Sequence, residues 1–167
     1  MRKKLEKLIP PGADPVQELC SCMVLLLLEF VISLTFLGTF NHQLNELYVY
    51  SQGKRIHLIP DAVMPSLNEL MQRKLSGFLI LLCGCMVLAA VHYVSFYRES
   101  KSIYLMKRLK SASELHKRCL ALPVLCIFYG IILMVILIAV YSFIYYSLTP
   151  AQCLPEPIPF DLWRCIL

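Results

Sequence analysis

The chain has 167 residues, enough for one domain. Apolar types make up 58 % of it and charged types 16 %, against about 45–50 % and about 25 % in soluble domains. This balance excludes both an ordinary water-soluble fold and a disordered chain. The net charge of +5 sits beside long apolar blocks and not on a separate basic face. It therefore points to anionic lipid and away from nucleic acid.

Residues 1–17 form a basic segment with Arg2, Lys3, Lys4 and Lys7, in which Pro10 and Pro11 stop any helix. It reads as a short interfacial helix or as a basic tail. A first span is expected over residues 18–40. It is longer than a signal-peptide core and no small-residue cleavage pattern precedes it, so it reads as retained. A polar loop follows over 41–74, with Pro60 and Pro65 as breakers and one helix expected from Asp61 to Lys74, or a start capped by Ser66. The second span covers 75–97. A basic loop covers 98–118, and the third span with its interfacial lead-in covers 119–147, most apolar from Val124. Each span exceeds the roughly 20 residues that cross about 30 Å of hydrocarbon. Residues 148–167 hold Pro150, Pro155, Pro157 and Pro159 and read as irregular, with Phe160, Leu162, Trp163, Ile166 and Leu167 resting on the membrane interface. The fold class is thus an all-α integral membrane protein, with three transmembrane helices plus short interfacial helices.

Sidedness follows from Lys and Arg. Segments 1–17 and 98–118 together carry eleven, against five in 41–74 and the tail. The positive-inside rule places the N-terminus and the 98–118 loop in the cytoplasm and the C-terminal tail outside, in a multi-pass plasma-membrane protein. Tyr141, Phe143, Tyr145 and Tyr146 at the outer end of the third span fit an aromatic belt.

Glu29 lies near the middle of the first span. An acid there costs about 2.5–3.5 kcal/mol on insertion scales and normally faces protein or a cavity. It reads either as a proton or cation site or, more simply, as a packing residue partnered by Ser33 or another subunit. Eight cysteines are present. Cys20 with Cys22, and Cys83 with Cys85, are C-x-C pairs of the kind that chelate soft metals. Helical residues two apart point about 200° away from each other, so neither pair makes a site alone and no metal is expected. Cys153 and Cys165 in the tail are candidates for a disulfide on an oxidising side. His116 and Cys119 lie three apart, but a catalytic dyad would need an orienting partner that the sequence does not identify. The chain carries no phosphate-loop motif, no H-E-x-x-H and no G-x-S-x-G, so no enzymatic activity is expected of it.

The segment Ser100–Pro123 contains Tyr104, Leu109, Ser111, Glu114 and Leu115 in a short, basic, partly apolar stretch. It resembles the loop between the second and third spans of type-2 ABC exporter permeases, and small clostridial-type membrane proteins associated with such exporters in Firmicutes. Lys110 stands where those permeases usually have proline. The resemblance implies a half-sized permease subunit, three spans where six are typical, that associates with itself or a second permease chain. It further implies that Tyr104, Met106, Lys107, Arg108, Leu109 and Glu114 face a separate cytoplasmic ATPase, which would bind ATP and Mg. No cofactor is expected in this chain. Two other readings stand beside it: an accessory or immunity protein that binds a transporter or toxin without transporting, and a small proton-coupled exporter using Glu29.

Overall fold

The structure is a computed structural model that describes residues 15–51, 54–60, 62–98, 112–156 and 158–166. Three stretches are long and apolar enough to cross a membrane: Val16–Glu46, Gly77–Val94 and Cys119–Leu148. The all-helical membrane class is therefore correct. Only 22 %, 22 % and 28 % of their most apolar windows are buried within the chain, which leaves most of each span to lipid or to other chains.

The first span is longer than the sequence suggests, and it is broken. Helix α1 runs Pro15–Ser33 and helix α2 runs Thr35–Glu46. The break falls where hydroxyls compete for backbone carbonyls. Ser33 Oγ donates to Phe30 O and Thr35 Oγ1 to Ile32 O, both at 2.7 Å. Such back-bonding bends helices. Helix α1 also inverts the soluble pattern. Glu29 and Ser33 are buried to 1 % and 0 % exposure, while Met23, Val24 and Leu27 are exposed. Apolar side chains outward and polar ones inward is what a hydrocarbon solvent selects.

A strand pair follows that sequence reading did not anticipate: β1 (Tyr48–Ser51) and β2 (Lys54–Leu58), antiparallel, with a bulge between Val49 and Tyr50. The helix expected from Asp61 to Lys74 is much shorter. Only α3, Leu67–Leu70, forms, and the Ser66 start is the one used. Ser66 Oγ accepts from Glu69 N while Glu69 Oε2 accepts from Ser66 N, a closed capping box. The chain then turns through Arg73 at φ 59, a left-handed conformation that ends helices.

Helix α4 is Gly77–Arg98 and helix α5 is Ala112–Leu148, with Pro123 inside it. Helix α5 thus starts seven residues before the third span expected from position 119. A 3-10 turn, Ala151–Cys153, and a short helix α6, Leu162–Ile166, complete the chain.

The contacts divide the chain into two units. The first comprises Met1–Leu28 with Leu79–Ile132, the second Glu29–Phe78 with Leu133–Leu167. The core of the first holds Cys22, Leu81, Cys85, Leu122 and Cys126. That of the second is an aromatic ladder between α2 and α5. Phe36 stacks on Tyr141 at 4.5 Å, and Phe40 meets Tyr145 edge-on at 6.3 Å. Tail residues Cys153, Cys165 and Ile166 belong to this second core. Of the tail residues expected at the interface, Phe160, Leu162 and Trp163 are exposed, Ile166 is buried, and Leu167 lies outside the described residues. Backbone bonds stitch it down: Met64 N–H donates to Cys153 O at 2.8 Å, Arg73 N–H to Arg164 O at 3.1 Å and Leu75 N–H to Cys165 O at 2.9 Å.

Candidate functional site

The polar groups that matter are built by α1, α4 and α5 of the first unit. His92 on α4 is 4 % exposed. Its Nε2 lies 2.8 Å from Glu18 Oε1 on α1, and its Nδ1 lies 3.2 Å from the carbonyl oxygen of Cys119 on α5. The carbonyl is available for a covalent reason. In an α-helix, residue 123 would donate its N–H to the oxygen of residue 119, but Pro123 has none. Proline on one helix thus opens an acceptor that histidine on another fills.

This arrangement settles one proton. A carbonyl only accepts, so Nδ1 carries hydrogen and donates to Cys119 O. The other ring nitrogen, Nε2, faces Glu18 Oε1. The 2.8 Å approach is close but misaligned for a hydrogen bond, and Glu18 Oε2 has no partner among the described residues. Through His92 the group joins three helices, α1, α4 and α5. Neither Glu18 nor His92 was singled out from sequence. A histidine inside an apolar span, an acid at a span's edge and a proline four residues after Cys119 were the available signals.

Glu29 is the buried acid of the second unit. Both carboxylate oxygens lack a hydrogen-bond partner among the described residues. Ser33, the expected partner, is engaged elsewhere: its hydroxyl meets Phe30 O and lies 2.9 Å from Tyr141 Oη. The backbone of Gly77 packs directly on that of Glu29.

The C-x-C pairs point apart as helical geometry requires. Cys22 and Cys85 are buried and Cys20 and Cys83 exposed. Cys22 and Cys85 nonetheless join Cys126 in one core cluster, with Cys126 Sγ 3.8 Å from Cys22 O. Among the described residues no group of three His, Cys, Asp or Glu is placed to hold a metal ion.

Cys153 and Cys165, the candidate pair, are both buried and both free thiols in the structure. The Cys165 thiol donates instead to Asp161 O at 3.3 Å. Burial, with the nearby charge of Asp161, pushes this thiol up to about 11 from its usual 9.0. Thiolate is the reactive form, so Cys165 should resist maleimide at pH 7–8 in the folded protein and react once it is unfolded. Because the folded state holds this proton more tightly, Cys165 favours folding below about pH 9, and that contribution falls as pH rises from 9 towards 11. Full labelling of the folded protein at pH 7 would contradict this placement.

Of the residues expected to face an ATPase, Tyr104, Met106, Lys107, Arg108 and Leu109 lie outside the described residues. Glu114 is placed in α5 by its backbone alone. The His116 side chain is likewise outside them, while Cys119 is fully buried beside Tyr93. No protein-family model, curated protein or solved structure matches the chain.

Proposed function

We propose that the chain is a membrane-spanning subunit of an exporter driven by a separate ATPase, paired with itself or a second permease chain. In this reading residues 98–118 rest on the ATPase in the cytoplasm of a cell whose plasma membrane holds the three spans. The C-terminal tail lies outside. Closure and reopening of the ATPase shift the population of helix arrangements. The observation that carries the reading is the placing of Tyr104, Leu109, Glu114 and Leu115 in a compact basic stretch between the second and third spans. The largely uncovered span surfaces are compatible with partner helices. Function here rests on resemblance and not on fold.

The test is affinity purification of the tagged chain from native membrane. An ATPase should accompany the wild type and be lost from the K107E/R108E double variant. Recovery of no ATPase, or recovery unchanged by the charge reversal, overturns the proposal.

A second reading, a proton-coupled exporter, is favoured by a specific observation. Besides Glu29, His92 is a second buried ionisable side chain, 2.8 Å from Glu18. Transport that follows an imposed pH gradient without ATP, and that E29Q abolishes, would select this reading over the first.

A further inference from the structure

The second unit contains a cavity of about 260 Å³ between α3, the end of α5 and the tail. Its lining includes Ser66, Asn68, Tyr145, Tyr146, Glu156 and Phe160. Three of these are aromatic. The rings of Tyr145 and Tyr146 stand at 84° with centroids 5.2 Å apart, so neighbouring residues present two walls of a corner. Tyr145 is the inner wall, 1 % exposed, and its hydroxyl is fixed on Pro65 O at 3.0 Å. Tyr146 and Phe160 are the outer walls, 63 % and 43 % exposed.

Several polar groups of the lining are already engaged. The Asn68 amide is used at both ends: Nδ2 donates to Pro159 O at 2.8 Å, and Oδ1 accepts from Asp161 N at 3.1 Å. Ser66 is held in its capping box. Glu156 takes part in no ion pair among the described residues. Other charges on the packed elements are Glu69, which caps α3, and Asp161 with Arg164 on the tail, 3.9 Å apart. The cavity thus sets three aromatic rings beside Leu67, Leu154, Pro155 and Ile158, is held in shape by Asn68, and carries at Glu156 a carboxylate with no ion pair among the described residues.

Aromatic faces and a nearby carboxylate together recognise one chemical class. The ring quadrupole attracts a cation placed over it, best when the cation is weakly hydrated, and alkylated ammonium is the strongest such case. A volume of 260 Å³ is below the roughly 300–1,000 Å³ of drug-sized sites and suits a compact head group. We propose that this cavity binds an alkylammonium group, with Tyr145, Tyr146 and Phe160 as its walls and Glu156 as its counter-ion. The proposal is independent of any ATPase partnership. Such a head group reaches the site either on a membrane lipid or as a free organic cation.

The experiment is calorimetric titration of choline into the full chain in phosphatidylglycerol nanodiscs, with 3,3-dimethylbutan-1-ol as the uncharged isostere. Choline should bind saturably, and the isostere at least tenfold more weakly. E156Q should weaken choline at least tenfold, and Y146L severalfold more than Y146F. Glu156 and Tyr146 are exposed, so these variants should retain the wild-type melting temperature. If either does not, choline against its isostere on the wild type decides alone. Equal binding of the two probes, no binding of choline, or an E156Q protein that binds choline as the wild type does would each overturn the proposal. Repeating the titration in phosphatidylcholine nanodiscs identifies the source. A severalfold loss of choline affinity assigns the site to lipid head groups, and an unchanged affinity assigns it to a free cation.

Discussion

Replacing His92 by alanine is expected to destabilise the folded protein by about 1–3 kcal/mol, the cost of leaving a buried hydrogen-bonding group without its partner. The loss arises mainly from what remains. Glu18 keeps its carboxyl in a place where its side chain is only 14 % exposed, and Cys119 O keeps no donor from α4. H92A thus strands an acid and a carbonyl together. The double variant E18L/H92L removes the acid as well and should recover most of the loss, since apolar replacements of buried pairs are often neutral or better. Unfolding of the purified protein in mixed detergent and denaturant, read by helix content, measures both. If H92A and E18L/H92L lose the same stability, the pair does not exist as drawn. P123A is a useful companion, because it returns an N–H that competes with His92 for the Cys119 oxygen. It should weaken the α4–α5 tie even though alanine is the better helix former.

The second large effect is expected at Gly77. A Cβ there would lie 2.7 Å from Glu29 Cα and 3.1 Å from Glu29 O. Both are backbone atoms and cannot swing aside, so G77A must push α1 and α4 apart locally. Overpacking of this kind typically costs about 1–3 kcal/mol. Two other glycines provide the contrast. A Cβ at Gly84 would meet Leu25 Cδ2 at 2.6 Å, the far end of a side chain that can rotate away. Helix propensity then offsets much of the strain, and G84A should be close to neutral. Nothing lies within 4 Å of a Cβ at Gly38, so G38A should stabilise α2 by up to about 1 kcal/mol. The expected order of stability is G38A, wild type, G84A, G77A. A G77A protein as stable as G84A would show that the backbones of residues 29 and 77 are not in contact.

Much of the architecture was legible before any coordinates. Uninterrupted apolar runs longer than a bilayer is thick have one low-energy solution, so the number of spans and their approximate limits follow from composition along the chain. The burial of Cys22 and Cys85 opposite exposed Cys20 and Cys83 likewise follows from 100° per residue, which is local geometry. The break at Leu34 was legible in principle, since Ser33 and Thr35 flank it. Within so apolar a run their hydroxyls left no visible change in pattern. The short strands from Tyr48 to Leu58 and the reduction of 61–74 to a four-residue helix were not legible. The strands pair only with each other among the described residues, while 61–74 is held by tail carbonyls at Cys153, Pro159 and Arg164 and by the Ser66 cap, and local propensity does not encode a partner some ninety residues away.

The site divides in the same way. Glu29 stood out because a single acid in hydrocarbon is conspicuous wherever it faces. Its lack of a hydrogen-bond partner among the described residues did not stand out, because only packing shows that Ser33 turns to Tyr141 and Phe30 instead. Glu18 and His92 were ordinary edge and span residues until α1 and α4 were set side by side. What residue order alone determines here is solvent: three long helices whose apolar surfaces require lipid. Which polar groups meet inside them depends on helix rotation and on the carbonyl that Pro123 leaves open. These are contacts between distant segments, and the tertiary structure alone decides them.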